Sequence, residues 1–333
     1  MEKKSGGNKK IAHSLSQNGK VVCLLLEEIV FMTNKTETFL EYKALLFSIA
    51  YNMLGGIDAA EDIVQDTYLK WMEADTNNVR QTKAFLVRIV TNQCINHLHS
   101  ARVQREKYIG FWLPEPLRNY TVDGDQARIE SYSALSIGML VLLERLTPQE
   151  RAMFLLKEVF AYDYYELSEI FDKSTDNCRQ LVKRAKDNLG KETQRFKVDM
   201  RVHEKMLRNF LQAASEGDLE GLIGMLKEDI QLFADGGGRK PIVVDNKRLS
   251  AFPKPIKGSK NVVKALLHTF PRFRRATPDF HAELTFANGQ PSVISYSGEE
   301  PVSIITLEMD GERICNIYLQ TNPDKLKHIK KAL

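Results

Sequence analysis

The sequence predicts a multidomain chain, with an all-α half of two helical units followed by an α+β domain shaped as a cone. Three observations predict this. Apolar residues recur at helical spacing between Phe39 and Leu189. Inside that stretch two short capped helices meet at a tight turn, and the second is basic outside, as in a helix-turn-helix. Beyond Arg201 the pattern changes to helices and then to alternating strands, with turns at Asn288-Gly289, Ser297-Gly298 and Asp310-Gly311.

The chain has 333 residues, 43% of them hydrophobic, with a net charge of +4. It is long enough for two or three cores, and any basic surface has to be local. The 4 cysteines, Cys23, Cys94, Cys178 and Cys315, show neither pairing nor metal spacing. They read as reduced, mostly buried thiols of a cytoplasmic protein. His97 and His99 stand two apart on a helix, which suits metal binding poorly. No metal or cofactor is expected.

Residues 1–35 read as a poorly ordered leader. Lys3, Lys4, Lys9, Lys10 and Lys20 precede an apolar run, Val21–Met32, interrupted by Glu27 and Glu28. The run is too short and too charged to span a membrane. It lacks a small-residue cleavage site, and Val22 before Cys23 argues against a lipoprotein signal. Glu27-Glu28 could be encoded by GAGGAG, a ribosome-binding sequence, with Met32 as the start of translation. The intact mass of natively expressed protein checks this, and a product that keeps residues 1–31 contradicts it.

Residues 36–107 form the first helical unit. A helix over Phe39–Leu54 ends at Gly55-Gly56. A second follows Asp58, with Ile63, Tyr68, Leu69, Trp71 and Met72 expected inside. Glu61, Asp62, Gln65 and Asp66 make an acidic, amide-bearing outer face. Asp75–Gln81 is a polar loop. A long third helix from Thr82 buries Phe85, Ile89, Val90 and Ile95, and carries Arg88, Asn92, Asn96, His99, Arg102 and Arg105 outside. Residues 108–130 are a linker marked by Pro114, Pro116 and Gly124. Phe111, Trp112 and Leu113 are too apolar for a free linker. Burying such side chains contributes about 1.5–3 kcal/mol each, so they should dock on a neighbour.

Residues 131–192 hold the second unit. Thr147, Pro148 and Glu150 spell a capping box with proline at the first helical position. Helices follow over Tyr164–Phe171 and Thr175–Leu189. In the last, Cys178, Leu181, Val182, Ala185 and Leu189 form one apolar stripe. Asn177, Arg179, Gln180, Lys183, Arg184 and Lys186 lie off it. Periodicity alone is equally served by an ordinary helical hairpin with a solvated basic face.

Residues 200–321 read as the cone. Helices are expected at Val202–Ser215, Leu219–Leu226 and Lys260–Phe270. Strands are expected at Ile230–Phe233, Phe280–Ala287, Ser292–Tyr296, Val302–Met309 and Ile314–Gln320, the sheet being antiparallel. A tail, 322–333, contains Asn322-Pro323-Asp324-Lys325-Leu326. Asp235, His268, His281 and Glu283 are the candidate acids or bases of the cone. Catalysis needs a paired group in a pocket, which the sequence does not show.

Three stretches in order carry a resemblance. DAAEDIVQDTYLKW from Asp58, KAFLVRIVTNQCINHLHSARVQRE from Lys83 and LTPQER…RAKDNL from Leu146 resemble extracytoplasmic-function sigma factors of bacterial RNA polymerase. The cone, with WLPEP (Trp112, Leu113, Pro114, Glu115, Pro116), DGGG (Asp235, Gly236, Gly237, Gly238) and NPDKL (Asn322–Leu326), resembles the group with a fused SnoaL-like domain.

The resemblance implies roles. Asp62, Gln65 and Asp66 would meet the β′ clamp helices of core polymerase, with the β flap as a further contact. Arg88, Asn92, Asn96 and Arg102 would face the melted −10 element, and the loop at Asn77-Asn78 would hold an extruded base. Ser174, Asn177, Arg179, Gln180, Lys183 and Arg184 would meet the −35 element. The cone would stand in for a separate anti-sigma factor, holding the sigma domains together with DGGG near WLPEP, and the tail would tune activity. This implies a cytoplasmic, non-enzymatic initiation factor. The alternative is a helix-turn-helix regulator whose cone binds or transforms a small molecule.

Overall fold

The structure is a computed structural model. It describes residues 32–75, 79, 81–105, 108, 110–118, 135–190, 200–237, 242–244, 247–249 and 254–329. Residues 1–31 of the expected leader, Asn77, Asn78, Gly238, the end of the linker and the last four residues lie outside that set. Residues 32–35, expected in the leader, belong instead to the first helix, where Lys35 is buried and donates to the Met72 and Ala74 carbonyls at 2.9 Å.

The N-terminal half is helical. A helix over 32–54 (α1) is followed by α2 (Ile57–Glu73) and α3 (Thr82–Arg105). After the linker come α4 (Ile137–Leu143) and α5 (Pro148–Phe154), which ends in a π turn at Leu155–Val159. Then come α6 (Tyr164–Phe171) and α7 (Thr175–Leu189). Local chemistry sets the boundaries. Thr147 and Glu150 cap α5 reciprocally, and Asp163 and Glu166 do the same for α6. Asp172 takes a left-handed conformation that ends α6, and Ser174 caps α7. Each such cap contributes about 1 kcal/mol.

The two helical units share one hydrophobic core. Leu46, Tyr51, Leu86 and Val90 from the first unit join Leu143, Met153, Leu167 and Val182 from the second. α3 lies directly against α5 and α6. The Arg151 guanidinium, buried at 4% exposure, donates to the Met53 carbonyl at 2.7 Å and to Leu143 at 2.8 and 3.1 Å. Leu69 departs from its expected burial. It is 52% exposed, because Thr67 and Trp71 occupy the inward positions around it.

The C-terminal domain opens with α8 (Met200–Glu216) and α9 (Leu219–Met225). It continues through β1 (Leu226–Asp235), β2 (Ile242–Val244), β3 (Lys247–Leu249), β4 (Ile256–Lys257) and α10 (Ser259–Ala276). Strands β5 (Phe280–Ala287), β6 (Gln290–Ser297), β7 (Glu300–Asp310) and β8 (Arg313–Gln320) lead to α11 (Pro323–Leu326). The large sheet has the order β4-β1-β8-β7-β6-β5. It is mixed rather than antiparallel, since β1 pairs parallel to β8. The last two hairpin turns fall one residue later than expected, at Gly298-Glu299 and Gly311-Glu312.

The period of two gives the sheet two faces. Ile230, Leu232, Leu307, Ile314 and Ile317 point toward α8, α9 and α10 and pack with Leu207, Phe210, Val262 and Val263. Gln231, Phe233, Glu308, Asn316 and Tyr318 point the other way, toward the helical half. α4 packs on β8 from that side. Among the described residues no helix is long and apolar enough to cross a membrane.

Candidate polymerase and promoter faces, and the seam between domains

Three faces of the helical half stand in solvent. On α2, Asp62, Gln65 and Asp66 are exposed, while Ile63, Val64 and Thr67 between them are buried. On α3, Arg88, Asn92 and Asn96 recur every fourth residue along one exposed line, with Val87, Val90 and Cys94 buried behind them. Arg102 lies further along the same helix. On α7, Asn177, Arg179, Gln180, Lys183 and Arg184 are exposed, as is the capping Ser174. Arg179 pairs with Asp176 at 2.6 Å and lies 5.2 Å from the Tyr164 ring. Each helix therefore spends its apolar side on the shared core and offers its polar side outward.

The linker is the seam between the helical half and the cone. Leu113 is buried with Phe111, Ile137, Val141, Phe233 and Tyr318. Glu115 reaches back to α2, whose own N-cap, Gly56, has no side chain to offer. The Glu115 carboxylate accepts from Ile57 N at 2.8 Å, Glu115 N donates to the Gly55 carbonyl at 2.8 Å, and the Tyr51 hydroxyl donates to the Glu115 carbonyl at 2.6 Å. Burial pushes the Glu115 carboxyl above its ordinary value, against the help of the Ile57 amide. Gly55 has a positive φ of 70°, and a Cβ there would lie 2.8 Å from the Trp112 ring.

Asp235 is the node on the cone's side, with 0% exposure. Its carboxylate accepts from Leu113 N at 2.8 Å, Lys325 Nζ at 2.7 Å, Gly237 N at 3.0 Å, Gln320 Nε2 at 3.4 Å and the Tyr108 hydroxyl. Burial, and then Asp235 itself, push the Tyr108 hydroxyl well above its ordinary value, so it stays a donor. Lys325 also donates to the Leu113 carbonyl at 2.5 Å, and its ammonium lies 4.3 Å from the centre of the Trp112 ring. Asn322 caps α11 through Asp324 N at 3.1 Å and donates to the Tyr108 hydroxyl at 3.1 Å. Gly237 has a φ of 70°, and a Cβ there would meet the Asn322 side chain at 2.6 Å. Pro323 begins α11, and Leu326 is buried against Ile294 and Tyr296. Residues of WLPEP, the start of DGGG and NPDKL thus form one buried cluster; Pro114 and Pro116 are buried in it too.

Among the described residues, the remaining candidates of the cone have the following surroundings. His268 is exposed against Arg272. His281 stacks on Tyr296 with centroids 5.0 Å apart. Glu283 pairs with the buried Arg118 at 3.0 Å and accepts from the Tyr296 hydroxyl at 2.7 Å. Burial and Glu283 push that hydroxyl up to about 12.

Comparison with known proteins agrees with this architecture. Residues 38–103 match the model of Sigma-70 region 2, and residues 138–189 match Sigma-70 region 4. The ECF RNA polymerase sigma factor SigJ of Mycobacterium tuberculosis is 30% identical over 300 residues, covering 86% of this chain and 92% of that protein. This chain belongs to the extracytoplasmic-function (ECF) RNA polymerase sigma factors. The probable ECF sigma factor SigI of the same species is 25% identical, covering 88% of this chain and 94% of SigI. The crystal structure of SigJ superposes with a TM-score of 0.67 at 25% identity, covering 88% of this chain and 98% of SigJ. The sigma factor therefore carries region 2 in α1–α3, region 4 in α4–α7, and a SnoaL-like cone after them.

Several residues of the seam escaped the reading of the sequence. Asn288, a hairpin turn residue, is 2% exposed. Its side chain donates to the Tyr51 hydroxyl at 2.7 Å and to the Leu135 carbonyl at 3.0 Å, and accepts from Leu117 N at 2.9 Å. It ties the cone to region 2, the linker and the start of region 4 at once. Lys327 and His328 both bind Asp58 in the first turn of α2, His328 at 2.6 Å. Lys327 holds the Asp58 carboxyl below its ordinary value. The tail thus grips the helix that carries Asp62, Gln65 and Asp66. Only the turn-forming habit of Asn288 and the basic character of the tail were visible beforehand.

Proposed function

We propose that this sigma factor binds the β′ clamp helices of core RNA polymerase through Asp62, Gln65 and Asp66. Arg88, Asn92, Asn96 and Arg102 meet the −10 element, with the loop at Asn77 and Asn78 holding a flipped base. Ser174, Asn177, Arg179, Gln180, Lys183 and Arg184 meet the −35 element, and region 4 meets the β flap. The cone regulates initiation in cis, in place of a separate anti-sigma factor, and the protein acts in the cytoplasm. The observation that carries the reading is that each of the three helices turns its polar face to solvent and its apolar face to the shared core.

The same shared core makes this a closed form. The two promoter elements are ~25 base pairs apart, which is ~85 Å along B-DNA. A single compact unit of ~150 residues, the length of the helical half, has a radius of gyration of only ~15 Å. One promoter engages both regions only after region 4 swings away from region 2, and the seam resists that motion. No catalytic step belongs to this reading. Asp235 is taken up by the linker, Glu283 by Arg118, and aliphatic side chains fill the helix side of the sheet.

Run-off transcription with purified core polymerase tests the proposal, using the full chain and a chain ending after Leu189. Transcripts that depend on the protein, with different yields from the two versions, are expected. Equal yields would remove the cis-regulatory role. No transcripts from either version would remove the initiation role.

A further inference from the structure

A cavity of ≈ 220 Å³ lies where α4 of region 4 meets the polar face of the cone's sheet. It is not the interior of the cone. Ile230, Leu232, Leu307 and Ile317 point to the helix side and are closed over by α8, α9 and α10. The cavity uses the opposite parity of the same strands. Gln231, Asn316 and Glu308 stand side by side there, because Gln231 pairs with Asn316 and Asn316 with Glu308 in the ladder. Val141 and Leu142 of α4 form the facing wall, with Gly138 beside them.

The chemistry of the lining selects its occupant. Glu308 is 4% exposed. Its Oε2 accepts from Asn316 Nδ2 at 3.0 Å and from the Tyr318 hydroxyl. Burial and Glu308 push that hydroxyl well above its ordinary value, so it remains a donor. Both of these donors go to Oε2, and Glu308 lines the cavity. The exposed Asp229 carboxylate and the Gln231 side chain stand on the same wall, with the Phe233 ring beside them and Arg145 at the region 4 side. The lining sets two carboxylates, Glu308 and Asp229, against one guanidinium, Arg145, so it is net acidic and attracts a cation. A neutral ligand gains nothing from that charge, and an anion is repelled by it.

We propose that this cavity binds a small organic cation carrying N–H donors, of diamine or guanidino-amine size. Its charged end is held by Glu308 and Asp229. Val141 and Leu142 pack against its methylenes. The ligand touches region 4 on one side and the cone on the other, so it favours the arrangement in which both walls are present.

Calorimetry on the full chain at physiological salt tests this, with agmatine and putrescine as probes. 1,4-Butanediol has similar length without charge, and tetramethylammonium has charge without N–H. Saturable binding of agmatine or putrescine at one site is expected, with neither control binding. Glu308→Gln should weaken it at least tenfold. Val141→Phe, which fills the cavity from the half-buried face of α4, should do the same and keeps the test open should the Glu308 variant fold poorly. No binding of either amine, equal binding of a control, or unchanged binding by a folded Val141→Phe protein overturns the proposal. Agmatine should also lower the run-off yield. That effect alone rests on the closed-form reading; binding with an unchanged yield supports the site and contradicts the reading.

Discussion

At the scale of single residues, the Asp235–Lys325 pair decides how firmly linker and tail are held. Removing one partner of a buried pair typically costs about 3–5 kcal/mol, because the other charge stays behind unpaired. Asp235→Asn is therefore expected to lower the denaturant midpoint of the cone, and Asp235→Asn combined with Lys325→Met should recover part of the loss. A fall in the midpoint no larger than that of an exposed control, such as Asp187→Asn, would contradict this. His203 gives a test by pH. It is 1% exposed on α8, its Nε2 has no hydrogen-bond partner among the described residues, and burial holds its pKa below 6.5. Protonation is then easier in the unfolded chain. Stability from this group is complete above pH 6.5 and is lost as pH falls from there toward the folded value. Thermal melts between pH 7 and 5 should slope downward, and His203→Leu should flatten the slope, which is bounded at ~1.4 kcal/mol per pH unit.

At the scale of elements, α7 was legible from sequence to the residue, because its cap at Ser174 and its stripe from Cys178 to Leu189 are both local signals. For α10 the sequence predicts Lys260–Phe270, and Pro271 lies inside the helix that forms. It runs on to Ala276, held by Phe270 and Phe273, whose rings both stand 6.2 Å from Phe280. For β1 the sequence predicts only Ile230–Phe233, with Leu226 in the helix before it, whereas the strand runs from Leu226 to Asp235. Its pairing with β8 joins residues far apart in the chain and leaves no local trace. The three exposed faces were legible because they are the polar complement of apolar stripes. The bonds of Asn288 were not, since its partners Tyr51 and Leu117 lie 237 and 171 positions away. For α7 the expected outcome of Lys183→Ala or Arg184→Ala is weaker −35 binding by the holoenzyme with an unchanged melting point. A residue that only holds phosphate should weaken all sequences alike and reduce the salt slope by about 1. One that reads a base should instead cost about 1–3 kcal/mol at that base pair alone. For α2, Asp66→Lys should abolish co-purification with core polymerase without changing the fold.

At the scale of the whole molecule, three bodies that composition and pattern separate are joined through one linker. Regions 2 and 4 share a core, the linker caps α2 with Glu115, and the cone holds the linker with Asp235 and Asn288. The tail then returns to α2 through Lys327 and His328. Every one of these contacts opposes the separation that a promoter demands. On the closed-form proposal, the distance between regions 2 and 4 is the quantity on which activity turns. Fluorescence energy transfer between dyes at Glu41→Cys on α1 and Asn188→Cys on α7 reads it directly; both positions are exposed. High transfer is expected for the free protein, falling sharply when core polymerase and promoter DNA are added together. Transfer that stays high in a complex making transcripts, or that is already low in the free protein, would contradict a closed molecule that opens to initiate.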